Sequence, residues 1–269
     1  MTRVDLSPDV TIYHGDCLEV LPTLAGIDAV VTDPPYSSGG MYRGDRAMDT
    51  RSKYTSTNAV AKYAVLFSGD NRDQRAWQFW SVLWCSAAMH ACSPGAACML
   101  FSDWRQLPTC TDVLQGAGWV YRGIAGWNKE QSRPMADRFR QVLEFIVWGT
   151  AGGRAVNMAD ADYHAGLFSY PPPPPSERLH PTEKPVDLMR DLVALAEPGG
   201  LVLDPFMGSG ATGIACIRTG RRFVGIEIDA HYFEVARARL ERELAQPRLP
   251  LPPVPQATQP ELAAMEAPR

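Results

Sequence analysis

Residues 201–217 read LVLDPFMGSGATGIACI, a short apolar run, a glycine-rich turn and then a run of small and branched residues. This pattern predicts a strand that turns tightly into a helix. Glycine suits such a turn because the backbone must bend sharply and because a ligand can approach backbone that carries no side chain. The helix start that follows offers unbonded N–H groups and positive potential. Residues 208–213, GSGATG, have the spacing G-x-G-x-x-G, and Glu227 stands 19 residues beyond Gly208 at the end of the next apolar run.

Working outward, the same rhythm recurs on both sides. Strands are predicted at 10–13, 28–32, 96–101, 119–127, 142–148, 201–203 and 222–226. Helices are predicted around Leu18, Leu21 and Leu24, then at 73–92, 107–117, 185–196 and 211–219, with a last one capped by Asp229. Strands alternating with helices imply an α/β fold with a doubly wound, mostly parallel sheet. Trp77, Trp80 and Trp84 fall on one helical face, which reads as core or subunit interface.

Composition narrows the class. Of 269 residues, 45% are hydrophobic, enough for a sizeable core, and the net charge of −4 argues against a generally basic nucleic-acid coat protein. The 23 prolines are unevenly placed, with one run at 171–175 and a proline-rich stretch after Gln246. Six cysteines show no metal-ligand spacing with the five histidines, so they read as small buried residues in a reducing compartment, and no metal is expected. The start lacks a signal-peptide pattern and no long apolar run is present, so the expectation is a soluble cytoplasmic protein, associated with the nucleoid, with no membrane contact.

The ligand of the glycine turn has two readings. Glu227 could accept hydrogen bonds from two ribose hydroxyls of a dinucleotide, as in an NAD-dependent oxidoreductase. Asp204, just ahead of the glycines, instead suits a cationic ligand. S-adenosylmethionine carries an ammonium and a sulfonium, whereas a dinucleotide brings two phosphates. The glycine segment alone leaves both open.

A second motif weighs on the choice. Asp33-Pro34-Pro35-Tyr36 follows a predicted strand, and successive prolines there make a rigid turn. Together with LDPFMGSG at 203–210, IYHGDCLEVL at 12–21 and HPTEKPVDLM at 180–189, it resembles the amino-methyltransferases of DNA. The order, with DPPY ahead of DPF, is similar to the permuted β group of that family. The resemblance implies a Rossmann-like methyltransferase fold with a small target-recognition insertion. It also implies transfer of a methyl group from S-adenosylmethionine to a base of double-stranded DNA. Asp as the first letter of the tetrapeptide favours the N6 amine of adenine, with the N4 amine of cytosine as the alternative. A C5-cytosine reaction would need a nucleophilic cysteine, usually after proline, and none of the six has that context.

The chemistry suits the groups. An exocyclic amine is a poor nucleophile because its lone pair is delocalised into the ring. The Asp33 carboxylate and the Pro34 carbonyl can accept its two N–H bonds, with Pro35 holding the turn rigid and Tyr36 stacking on a base extruded from the duplex. By resemblance, Asp16 meets the cofactor's adenine end and Glu227 its ribose. Asp204, Phe206, Gly208, Ser209 and Gly210 form the cofactor wall, and Thr182 and Lys184 meet the methionine carboxylate.

Residues 37–72 and 121–154 each carry six basic and three acidic side chains and are the candidate DNA contacts. The residues named for that role are Arg43, Arg46, Arg51, Lys53, Lys129, Arg133, Arg138 and Arg140. The expected organisation is a catalytic core of 1–36, 59–149 and 180–246, with a mobile loop at 37–58. A short target-recognition and spacer segment is expected at 150–179, and a disordered tail at 247–269. The resemblance also makes a homodimer a reasonable expectation.

Overall fold

The computed structural model describes residues 1–35, 72–130, 136–137, 139–154, 164–174, 176, 178–180 and 182–246. Among the described residues, nine strands form one sheet: β1 (Thr2–Ser7), β2 (Val10–His14), β3 (Ile27–Thr32), β4 (Cys92–Ser102), β5 (Val120–Asn128), β6 (Leu143–Thr150), β7 (Leu167–Ser169), β8 (Leu201–Asp204) and β9 (Arg222–Glu227). The helices are α1 (Cys17–Val20), α2 (Gln74–Ala91), α3 (Leu107–Gly116), α4 (Val186–Val193), α5 (Ala211–Arg218) and α6 (Ala230–Leu244). The spatial order is β1-β2-β9-β8-β3-β4-β6-β5-β7.

From β2 to β4 the neighbours run parallel. β6 lies antiparallel to both β4 and β5. The expected mostly parallel α/β sheet is therefore present, with one antiparallel hairpin at its β4 side.

Side-chain alternation covers both faces. Along β4, Ala97, Met99 and Phe101 join the core beneath α4, α5 and α6, whereas Cys98 and Leu100 join the core beneath α2 and α3. β3 alternates likewise, with Ala29 and Val31 on the first face and Val30 on the second. This period of two is why the strands read as nearly continuous apolar runs. Trp77 and Trp84 are buried in the second core, the inward destination expected for their stripe.

Three elements differ from the sequence reading. β1 was not foreseen, because Arg3 and Asp5 interrupt its apolar character, and it forms an edge hairpin with β2. β7 is only three residues long and pairs in parallel with β5, so part of the 150–179 segment belongs to the sheet. The helix expected at 185–196 ends at Val193. Among the described residues, no helix is long and apolar enough to cross a membrane.

The topology also locates the site. From β3 the chain proceeds outward to β4, and from β8 it proceeds the other way to β9, so the order reverses between β3 and β8. Open α/β sheets bind ligands at the carboxyl ends of strands at such a switch point. The residues that end these two strands are Thr32, followed by Asp33, and Asp204.

Candidate functional site

Thr32 and Asp204, from the two adjoining strand ends, are joined directly: the Thr32 hydroxyl donates to Asp204 Oδ1 at 2.7 Å. The Thr212 hydroxyl, from the first turn of α5, donates to Asp204 Oδ2 at 2.5 Å, and the Phe206 N–H donates to Oδ1 at 3.1 Å. Asp204 thus knots the end of β3, its own turn and α5 together. Burial pushes its carboxyl up to about 6, against those hydrogen bonds.

Beyond the knot, Gly208 and Gly210 take φ of 50° and 83°, a region that side chains with a Cβ disfavour. The Gly208 N–H donates to Glu227 Oε2 at 2.9 Å, and the Asp229 N–H donates to Oε1 at 2.9 Å. Glu227 is thereby aimed across the glycine turn, and burial raises its carboxyl to about 7.

An open cleft extends from this turn. It brings Asp33, Pro34 and Pro35 to the same space as Thr182, Lys184, Asp204, Phe206, Gly208, Ser209 and Glu227. Asp16 lines an adjoining recess that shares Pro35, Phe206 and Glu227 with the cleft. Its carboxylate caps α1 by accepting the Leu18 N–H at 2.9 Å. Gly210 stands behind the cleft, as the N-cap of α5 against Ala236 of α6.

Lys184 has a second set of partners that the sequence does not disclose. Its ammonium is buried and ion-paired with Asp33 Oδ2 and, at 2.9 Å, with Glu144 Oε1. Glu144 Oε2 in turn lies 3.5 Å from Lys129 Nζ. The result is an alternating chain, Asp33–Lys184–Glu144–Lys129. Burial alone would pull the Lys184 ammonium down, yet Asp33 and then Glu144 more than offset it, and its pKa stands above the ordinary lysine value. Lys129, a candidate DNA contact in the sequence, has a half-buried side chain beside Glu144.

Other residues hold the walls. The Trp77 indole N–H donates to the Pro35 carbonyl at 2.6 Å, tying α2 to the proline turn. Trp80 and Trp84 pack against Phe206 with ring centroids 5.5 and 5.0 Å apart. Arg239 of α6 pairs with Glu183 at 2.7 Å and donates to the Ser209 carbonyl at 3.2 Å, clasping residues 182–184 to the glycine turn. His180 packs edge-on against Tyr232 at 4.4 Å, and burial followed by the Lys184 charge lowers it to about 3, so it stays neutral. His180 and Glu183 sit inside the HPTEKP block, a signal that could have nominated them. Glu144, Trp77 and Arg239 carry no comparable signal.

Tyr36, Arg43, Arg46, Arg51 and Lys53 lie outside the described residues, as do Arg133, Arg138, the 37–58 loop and the 247–269 tail. Arg140 is described and exposed, ahead of β6.

Comparison with known proteins bears on the family and the fold. A family model described as DNA methylase, of the N6/N4 type, matches residues 27–238. An Escherichia coli (strain K12) protein named as a methylase, YubD, is 28% identical over 233 residues, spanning 84% of this chain and 88% of its own length. The crystal structure of an M1.HpyAVI–SAM complex is 26% identical with a TM-score of 0.61, covering 86% of this chain and 98% of that chain. The cytosine-N4-specific PvuII DNA methyltransferase shares the fold at 14% identity, with a TM-score of 0.64 over 88% of this chain and 92% of that one.

Proposed function

The chain belongs to the N6/N4 DNA methylase family, and from that premise we propose that it methylates the N6 amine of adenine in double-stranded DNA, using S-adenosylmethionine. The observation that carries this reading is the meeting of Asp33 and Pro34 with the glycine turn and Glu227 in one cleft. A methyl acceptor held at Asp33 and a methyl donor held at the glycine turn would face each other there.

The residues present fit such a donor. Glu227 is an acceptor for ribose hydroxyls, and Phe206 and Ile228, which like Glu227 line both the cleft and the Asp16 recess, offer apolar surface. Thr182 and Lys184 line the same cleft, where they would meet the methionine end. When bound, S-adenosylmethionine supplies an electrophilic methyl group on a sulfonium.

The protein's own part is to present the amine. Asp33 Oδ and the Pro34 carbonyl accept its two N–H bonds, which directs the nitrogen lone pair away from the ring system and toward the donor wall. With the donor bound, the N–C bond would form as the methyl–sulfur bond breaks and leaves its electron pair on sulfur, and the surplus proton would pass from nitrogen to the Asp33 carboxylate. Lys184 pairs with that carboxylate and orients it. Adenine rather than cytosine is supported by Asp as the first residue of the tetrapeptide.

Expression in a methylation-deficient bacterium, followed by sequencing that detects modified bases, tests the proposal. N6-methyladenine within a short recurring sequence is the expected result. N4-methylcytosine would overturn the choice of base, and no new modified site would overturn the activity. Asp33→Ala is expected to abolish transfer while cofactor binding survives, and retained transfer would refute the role given to Asp33.

A further inference from the structure

The turn that follows β4, residues 103–106, stands at the same sheet end as Asp33. β3 and β4 run parallel with Thr32 opposite Leu100, so the two chains leave the sheet side by side. β6 runs the other way with Phe145 opposite Ser102, which brings Glu144 of the charge chain beside this turn as well. The turn is a rigid one. Asp103 Oδ1 accepts the N–H groups of Arg105 and Gln106 at 3.0 and 2.9 Å, the local side-chain-to-backbone bonding that stabilises such bends.

This construction displays two side chains outward. Trp104 is 46% exposed, although tryptophan is among the costliest residues to leave in water. The Arg105 guanidinium lies 5.0 Å from its ring centroid, and its side chain is 42% exposed. The adjacent acid, Asp103, is mostly withdrawn beneath the turn, 3.6 Å from Arg105. Phe139, 92% exposed just ahead of β6, adds a second outward aromatic at the same end. An aromatic face beside a cation is the pairing that stacks on nucleobases while neutralising phosphate.

We propose that Trp104 and Arg105 form a DNA contact at the mouth of the Asp33 pocket, with Trp104 stacking on a base beside the extruded one and Arg105 engaging a flanking phosphate. The inference rests on the methyl-transfer reading above but adds a surface that lies in neither basic segment. Extrusion breaks stacking within the duplex, and an aromatic side chain at the exit replaces part of what is lost. Both residues are exposed, so their removal leaves the cores and the cofactor walls in place.

The test uses the full chain with three variants: Trp104→Ala, Trp104→Phe and Arg105→Ala. Methyl transfer is measured with labelled S-adenosylmethionine on genomic DNA from a methylation-deficient bacterium. Binding of a fluorescent duplex is measured across a salt series, and cofactor affinity separately. Trp104→Ala is expected to lower kcat/KM for DNA about tenfold, as loss of one base-stacking contact does. Trp104→Phe should keep at least half of the parent value. Arg105→Ala should reduce the slope of log affinity against log salt by about one, the signature of one lost phosphate contact. Cofactor affinity should stay within twofold throughout. Wild-type transfer rates and salt slopes in Trp104→Ala and Arg105→Ala would overturn the proposal, as would a matching fall in cofactor affinity. An inactive parent chain would instead overturn the methyl-transfer reading.

Discussion

Replacing Lys184 by methionine would leave Asp33 and Glu144 facing each other without their shared cation. Lys184 is 7% exposed and 2.9 Å from Glu144. At that separation and an effective dielectric of about 20, one ammonium–carboxylate contact is worth about 6 kcal/mol before desolvation is counted. Desolvation offsets part of this, and deleting one partner of a buried pair costs about 3–5 kcal/mol. For a chain of this size, such a loss corresponds to a fall in melting temperature on the order of 10 °C. The deficit should depend on pH in a definite sense. Without the cation the paired carboxylates hold a proton more tightly in the folded state than in the unfolded one. Stability is therefore lost as pH rises, and the gap to the parent chain should be wider at pH 8 than at pH 5.5. Lys184→Met combined with Glu144→Gln removes the stranded charge and should recover more than half of the lost stability, without recovering methyl transfer. Thermal melts at several pH values and single-turnover transfer assays check both halves. A Lys184→Met variant that melts like the parent at pH 8 and turns over normally would refute the electrostatic account of the site.

Two further outcomes follow from the walls of the cleft. Trp77→Phe strands the Pro35 carbonyl, which should cost about 1–3 kcal/mol of stability and lower kcat about tenfold while cofactor affinity stays within twofold. Trp119→Phe removes a comparable buried bond, from the Trp119 indole to the Cys85 carbonyl at 3.1 Å, and should lose stability without losing turnover. Equal turnover in Trp77→Phe and the parent chain would contradict the tie drawn from α2 to the proline turn. Glu227, raised by burial to about 7, holds its proton more tightly folded than unfolded, so its contribution to stability falls as pH climbs from the ordinary carboxylate range through 7. Ribose hydroxyls donating to Glu227 favour its charged form, so cofactor binding at pH 6.5 should release a proton. Calorimetry in two buffers of different ionisation enthalpy would reveal that release, and identical heats would count against the role of Glu227.

The core strands and the site's first members were legible because each rests on a local pattern. The glycine turn, the paired prolines and the acid that ends β9 announce themselves within a few residues, and the continuous apolar runs of β3 and β4 fit strands buried on both faces. What stayed hidden depends on the direction in which strands pair. Glu144 sits inside an apolar run, and nothing local indicates that it meets Lys184. Their contact arises because β6 runs against β4, which brings the beginning of one strand to the ends of its neighbours. The donation from Trp77 to Pro35 is similar: helical periodicity turns the indole inward but does not say which carbonyl awaits it. β1 escaped notice because an edge strand that pairs on one side tolerates Arg3 and Asp5 without an apolar signature.

The reversed direction of β6 has a consequence for how such an enzyme can change over evolutionary time. β5 ends at Asn128 and β6 begins at Leu143, both at the reactive end of the sheet on the β4 side. The glycine turn and Glu227 stand on β8 and β9, across β3. Insertions or substitutions between those two ends would leave the framework on β8 and β9 intact. A layout of this kind would let the approach to Asp33 vary while the donor-side framework is inherited unchanged.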